Sequence, residues 1–126
     1  MDVINIQGTD DTPSVILDKA SGKFEISGRS LPEDVNMFYE PILDWIDLYS
    51  EDPNDRTEFS FKLEYFNTAS SKIILDILLK LEEIMEKGKE VVIKWHYHED
   101  EEDMLEAGEE YADIVEIPFD YVLYND

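Results

Sequence analysis

The sequence has no cysteine, which removes disulfide frameworks, thiolate metal sites and cysteine nucleophiles together. Basic residues are scarce. Ten Lys and Arg stand against 32 Asp and Glu, a formal charge of −22. A nucleic-acid binder needs clustered cations to release counterions from phosphates, and an anionic membrane surface attracts the same kind of cluster. Neither partner suits this chain. Long apolar runs are missing as well. The longest, Ile73–Leu81, is broken by Asp76 and Lys80 and falls far short of the roughly 20 residues that span a bilayer. The opening Met-Asp-Val-Ile-Asn lacks the basic segment of a signal peptide. What remains is 126 residues, 43% of them hydrophobic, which suits one core and is too short for two. The expectation is a soluble cytoplasmic protein with residues 1–126 in a single domain. Its acidity favours solubility and would steer it toward a basic protein partner.

Periodicity outlines the elements. Residues 1–11 read as a loose segment or an edge strand, ending in the turn-forming Thr9-Asp10-Asp11-Thr12-Pro13. Val15-Ile16-Leu17 and Phe24–Gly28, joined through Ser21-Gly22-Lys23, read as a β-hairpin. Asp34–Ser50 reads as a helix, with Phe38, Ile42, Trp45, Ile46 and Tyr49 at three- and four-residue steps. Pro41 predicts that its regular part begins near Tyr39 or Glu40. Thr57–Phe66 alternates, with Phe59, Phe61, Leu63 and Tyr65 expected on one buried face. A long amphipathic helix runs from Ile73 to Met85 and closes at Lys87-Gly88. Glu90–Tyr97 follows as a strand, then a weaker helix around Met104–Tyr111 and a last strand, Ile117–Tyr124. The order is β-hairpin, α, β, α, β, α, β. It predicts an α/β fold, a single mixed β-sheet packed by helices.

The segment Glu64–Lys72 joins a strand to a helix at the carboxyl edge of the sheet, where open α/β folds usually meet their ligands. Asn67, Thr68, Ser70 and Ser71 crowd five positions there. One such side chain suffices to cap a helix, so four exceed the need. A hydroxyl at this place has a particular potential. Phosphorylation adds about −1.5 to −2 charges. The helix N-terminus can hold that phosphate, while the same charge would repel a partner docked on the edge.

Several pieces together resemble the SiaC family of bacterial regulatory phosphoproteins. They are Thr12-Pro13-Ser14-Val15, Gly28-Arg29-Ser30-Leu31-Pro32-Glu33, Phe38-Tyr39-Glu40-Pro41, Tyr65-Phe66-Asn67-Thr68-Ala69-Ser70-Ser71-Lys72 and the acidic run after Trp95. They stand in the family's order and cover about residues 12 to 110. The resemblance implies a fold like that of STAS domains, the anti-sigma factor antagonist class. It also implies a phosphoacceptor at Thr68, with Asn67, Ser70 and Ser71 forming the acceptor loop and helix cap. The implied partners are a protein kinase, a PP2C-type phosphatase and a diguanylate cyclase, which the unmodified protein binds and activates, raising cyclic di-GMP and promoting biofilm or aggregation. Ala69 stands where the family often has Ser, and the acceptor is left intact. An alternative is an anti-sigma factor antagonist-like module that switches between other partners.

Other features are weaker. His96 and His98 project from one strand face toward the acidic Glu99–Asp103, so His96, His98 and Asp100 are candidate cation ligands, although no established metal spacing is met. Trp45, Trp95 and the Phe59/Phe61/Tyr65 stripe read as core, and Tyr111, Tyr121 and Tyr124 as partly exposed. The sequence carries no Gly-rich phosphate loop, no His-Glu-x-x-His and no serine elbow, so neither enzymatic activity nor a cofactor is expected.

Overall fold

Alternating strands bury only one face, and the fold follows from that asymmetry. The computed structural model of the chain describes residues 1–125. The elements run β1 (Ile4–Ile6), β2 (Ser14–Asp18), β3 (Lys23–Ser30), α1 (Val35–Tyr49), β4 (Arg56–Phe66), α2 (Thr68–Glu86), β5 (Glu90–His98), α3 (Glu102–Ile114) and β6 (Phe119–Tyr124). The strands form one six-stranded sheet in sequence order. β1, β2 and β3 pair antiparallel, whereas β3, β4, β5 and β6 pair in parallel. The sheet is therefore mixed, as the sequence predicts, and the N-terminal segment supplies an edge strand.

The order advances by one strand at each crossover. Uniformly right-handed crossovers then place all three helices on the same face. Burial agrees: Phe59, Phe61 and Leu63 of β4 are sealed, while Glu58, Lys62 and Glu64 face water. Between sheet and helices lies one core, including Val15, Ile26, Ile42, Ile74, Ile77 and Trp95, each with no measurable exposure. Each such aliphatic contributes about 1.5–3 kcal/mol on burial. Aromatic rings tie the layers together, with Trp95 5.4 Å from Phe61 and 5.6 Å from Tyr111. The uncovered face carries surface ion pairs such as Lys94–Asp120 at 2.6 Å and the pair of Arg56 with Glu90. Exposed pairs of this kind add little stability, so the buried layer dominates.

Three expectations need correction. α1 begins at Val35, not at Tyr39 or Glu40, because Asp34 caps it by accepting the Met37 amide at 3.0 Å. Pro41 lies inside the helix, and the carbonyl that loses its i+4 donor belongs to Met37, which is 73% exposed and has solvent at hand. Tyr65 does not join the buried stripe. The β3–β4 register slips between Gly28 and Arg29, so that Leu63 faces Gly28 but Tyr65 faces Arg29. Glu64 is thus an extra residue in β4, a bulge that turns Tyr65 outward (46% exposed) and sends Phe66 toward the core. Gly28 takes a φ of +97° at this slip, a conformation that side-chain-bearing residues rarely adopt. Finally, Tyr111 is buried rather than partly exposed, because α3 runs on to Ile114 and packs it against Trp95.

Candidate functional site at the β4–α2 junction

The bulge aims the end of β4, and a single residue, Asn67, then turns the chain into α2. Asn67 is the N-cap: its carboxamide oxygen accepts the Ser70 amide at 2.8 Å and its carbonyl accepts the Ser71 amide at 2.9 Å. A cap of this kind is worth about 1 kcal/mol. The Asn67 amide in turn donates to the Ser30 carbonyl at 3.0 Å, which pins the junction to the end of β3.

The four polar side chains then separate by role. Asn67 caps. Ser70 is fully buried, and its hydroxyl donates to the Ser30 carbonyl at 3.0 Å. The Ser71 hydroxyl donates back to the Thr68 carbonyl at 2.6 Å, and the Ser71 carbonyl accepts the Tyr111 hydroxyl at 2.8 Å. Thr68, the first residue of α2, is exposed, and among the described residues its hydroxyl has no partner. The structure thus brings Asn67, Thr68, Ser70 and Ser71 into one turn and, among the described residues, leaves the Thr68 hydroxyl without a partner.

The electrostatics favour negative charge at that oxygen. Asn67 satisfies the amides of Ser70 and Ser71, so those of Thr68 and Ala69 stay unbonded among the described residues. The first turn of α2 holds no acidic residue, a notable gap in a chain with 32 acids. Lys72 lies one turn along the helix from Thr68, and Arg29 lies 5.5 Å from the Tyr65 ring centre. Lys19, Lys23, Arg56, Lys80, Lys89 and Lys94 all pair with carboxylates. Among the described residues Arg29, Lys62, Lys72 and Lys87 have no carboxylate partner; Arg29 donates to the Asp10 carbonyl at 3.2 Å, Lys87 donates to the Ser50 carbonyl at 3.0 Å and Lys62 lies over the Tyr124 ring. Beside the junction a mainly apolar hollow opens between α2 and α3, lined by Phe66, Leu75, Ala107, Tyr111 and Ile114 together with the polar Ser71, Lys72 and Glu110. Tyr65 and Ile114, 46% and 58% exposed, extend that apolar surface toward solvent.

The candidate cation ligands lie elsewhere, on β5 and the turn after it. The His98 Nδ1 accepts the Asp100 amide at 3.1 Å. His96 stands apart, its pKa lowered first by burial and then by Lys62, both of which oppose positive charge. Among the described residues no three His, Cys, Asp or Glu side chains converge as a metal site would require. Much of the acidic run has a structural explanation, since Glu102 and Asp103 occupy the first turn of α3, where the helix dipole favours carboxylates.

Two residues at the junction were given no role from sequence, Ser30 and Tyr39. Ser30 Oγ lies 2.6 Å from the Tyr39 hydroxyl and donates to Ser70 Oγ at 2.9 Å. The available signal was their place in the Gly-x-Ser-x-Pro-Glu and Phe-Tyr-Glu-Pro pieces.

Fold and site together define a class: a one-sided α/β protein that offers an unpaired threonine hydroxyl, on a helix N-terminus, at the carboxyl edge of its sheet. Comparison with known proteins makes the class specific. The model of the SiaC family of regulatory phosphoproteins matches residues 6–124, and the chain belongs to that family. An uncharacterized protein of Pseudomonas aeruginosa (strain UCBPP-PA14) is 33% identical over 119 residues, covering 94% of each chain. The crystal structure of apo-SiaC from Pseudomonas aeruginosa is 32% identical, covers 97% of this chain and 99% of that one, and superposes with a TM-score of 0.88. A chain in the crystal structure of diguanylate cyclase SiaD in complex with its activator SiaC, from the same organism, is 31% identical. The match covers 96% of this chain and 99% of that one, with a TM-score of 0.90. No described helix is long and apolar enough to cross a membrane.

Proposed function

We propose that this protein is a non-catalytic cytoplasmic switch in which phosphorylation of Thr68 controls binding to, and activation of, a diguanylate cyclase. The observation that carries the reading is the sorting of the four polar side chains, which leaves Thr68 alone exposed and unpaired. The partnership rests on likeness to the SiaC that activates SiaD. A protein kinase transfers the γ-phosphoryl group of ATP to Thr68 Oγ1, releasing ADP, with the hydroxyl proton leaving to a base of the kinase. A PP2C-type phosphatase hydrolyses the ester. Unmodified protein docks and activates, raising cyclic di-GMP and promoting biofilm or aggregation. The modified form carries a dianion whose oxygens can take the free Thr68 and Ala69 amides. Placed against a partner's desolvated surface, that charge needs to cost only about 2.7 kcal/mol to weaken binding a hundredfold.

Incubation with the cognate kinase and ATP, followed by intact-mass measurement and site mapping, tests the acceptor. A single modification on Thr68 is expected. Modification confined to other residues would remove Thr68 from the switch. Co-purification of a cyclase supports the partner, and co-purification of an anti-sigma factor in its place would redirect the reading to a different partner-switching module.

A further inference from the structure

Three sequence pieces far apart in the chain meet beneath Thr68, and their meeting carries a consequence for the switch. Ser30 closes β3, Tyr39 lies on α1 and Ser70 on the first turn of α2, and all three have no measurable exposure. Their hydrogens can be assigned by elimination. The Ser30 carbonyl can only accept, so the hydrogen of Ser70 Oγ is committed to it at 3.0 Å. Ser70 Oγ then accepts from Ser30 Oγ at 2.9 Å. Ser30 has no second hydrogen, so at the 2.6 Å contact the Tyr39 hydroxyl must be the donor. The result is a one-way chain, Tyr39 to Ser30 to Ser70 to the Ser30 carbonyl, and that carbonyl also receives the Asn67 amide at 3.0 Å. Three of these bonds join the turn that carries Thr68 to Ser30 at the end of β3, and the fourth joins Ser30 to α1.

We propose that Tyr39, Ser30 and Ser70 are positioning residues for Thr68: their buried hydroxyl chain locks the first turn of α2 against β3 and α1, so that the Thr68 hydroxyl is presented in one orientation. None of the three touches a kinase or partner. Ser70, although a hydroxyl two residues from the acceptor, is spent on the lock and closed to modification. Tyr39 remains a donor throughout the physiological range, since burial pushes its pKa up to about 12. The inference rests on the Thr68 reading for its functional consequence, and on the chain itself for its structural one.

The chain has a built-in control. At the far end of α1, about 15 Å along the helix axis, Tyr49 makes a comparable buried contact, its hydroxyl 2.7 Å from Thr57 Oγ1, and it also accepts the Asn54 amide at 3.1 Å. Tyr39→Phe and Tyr49→Phe therefore each delete one buried tyrosine hydroxyl from the same helix, one beneath Thr68 and one remote from it. Tyr39→Phe is also mild, because Ser30 keeps its donor bond to Ser70 and no hydrogen is stranded. The experiment compares both variants with the unaltered protein by amide hydrogen exchange and by kinetics of Thr68 phosphorylation with the cognate kinase. In Tyr39→Phe, exchange at the Ser70 and Ser71 amides should rise about tenfold while β4 and β5 amides stay protected, and kcat should fall about tenfold with KM nearly constant. Tyr49→Phe should free the Asn54 amide at its own end of α1 but change neither exchange at Ser70 and Ser71 nor kcat. Equal effects of the two substitutions, or none from Tyr39→Phe, would overturn the positioning role. If the unaltered protein is not phosphorylated on Thr68, the switch reading fails separately, and the exchange measurement still decides whether the lock exists. Should Tyr39→Phe fail to fold, Ser70→Ala interrupts the same chain and is judged by the same exchange pattern.

Discussion

Placing a carboxylate at residue 70 is expected to cost at least about 3 kcal/mol, whereas placing one at residue 68, a short step away, should be neutral or stabilise by roughly 0.5 kcal/mol. Both positions lie in the first turn of α2, where the helix dipole welcomes an anion. Environment separates them. Ser70 has no exposure and its hydroxyl donates to the Ser30 carbonyl. Ser70→Asp would set an acceptor against that carbonyl, and a charge there loses its hydration. Thr68 is exposed, two free amides lie beside it, and Lys72 follows one turn later. Thr68→Asp therefore gains the dipole term and an i, i+4 pair worth a few tenths of a kcal/mol. Urea denaturation of the two variants measures the difference. Equal stability would mean that residue 70 tolerates charge, and the separation of acceptor from scaffold would be lost.

The second large effect falls on Gly108, in the middle of α3. Alanine in place of a helical glycine normally stabilises by about 1 kcal/mol. Here the sign should reverse. A Cβ at residue 108 would sit 2.5 Å from Cδ1 and 2.6 Å from Nε1 of Trp95, well inside van der Waals contact. The indole cannot retreat: it is fully buried, touches Phe61 and Tyr111, and donates Nε1–H to the Met104 carbonyl at 2.8 Å. Overpacking of this kind costs about 1–3 kcal/mol, and losing the indole hydrogen bond adds about 1 kcal/mol. The two losses outweigh the propensity gain, leaving Gly108→Ala less stable by about 2 kcal/mol, a fall in Tm of several degrees to about 10 °C. Thermal unfolding followed by tryptophan fluorescence checks this. A raised Tm would show that α3 can shift away from β5 without loss. The same shift would disturb Tyr111, whose hydroxyl ties α3 to the Ser71 carbonyl, so a linked change in Thr68 presentation is expected.

Much of this was legible in the residues, for reasons that can be located. The strict alternation of Thr57–Leu63 and the 3.6-residue repeat of Ile73–Met85 each report one buried face, and the structure places both as read. What the pattern did not carry was the point where its period breaks. The bulge at Glu64 depends on the register against β3, a pairing between residues about 35 apart, so Tyr65 looked like the next member of a stripe that had already ended. Pro41 misled in the opposite sense. Its local penalty was real, but the apolar face of Tyr39, Ile42, Trp45 and Ile46 packs strongly enough to hold the helix through it. At the site, composition alone revealed an excess of polar side chains. Only the folded chain divides them into a cap, a buried link, a back-bonded hydroxyl and a free one. The hydrogen bonds of Ser30 and Tyr39 form only where β3, α1 and α2 meet, and no local sequence pattern reports that meeting.

The switch requires that a single group at Thr68 govern docking. The direct measurement is the affinity of the diguanylate cyclase for two preparations of the full chain, one unmodified and one stoichiometrically phosphorylated on Thr68, titrated side by side at the same ionic strength. The unmodified protein should bind and raise cyclase activity, and the phosphorylated protein should bind at least about a hundredfold more weakly, equivalent to about 2.7 kcal/mol. Indistinguishable affinities for the two forms would contradict it.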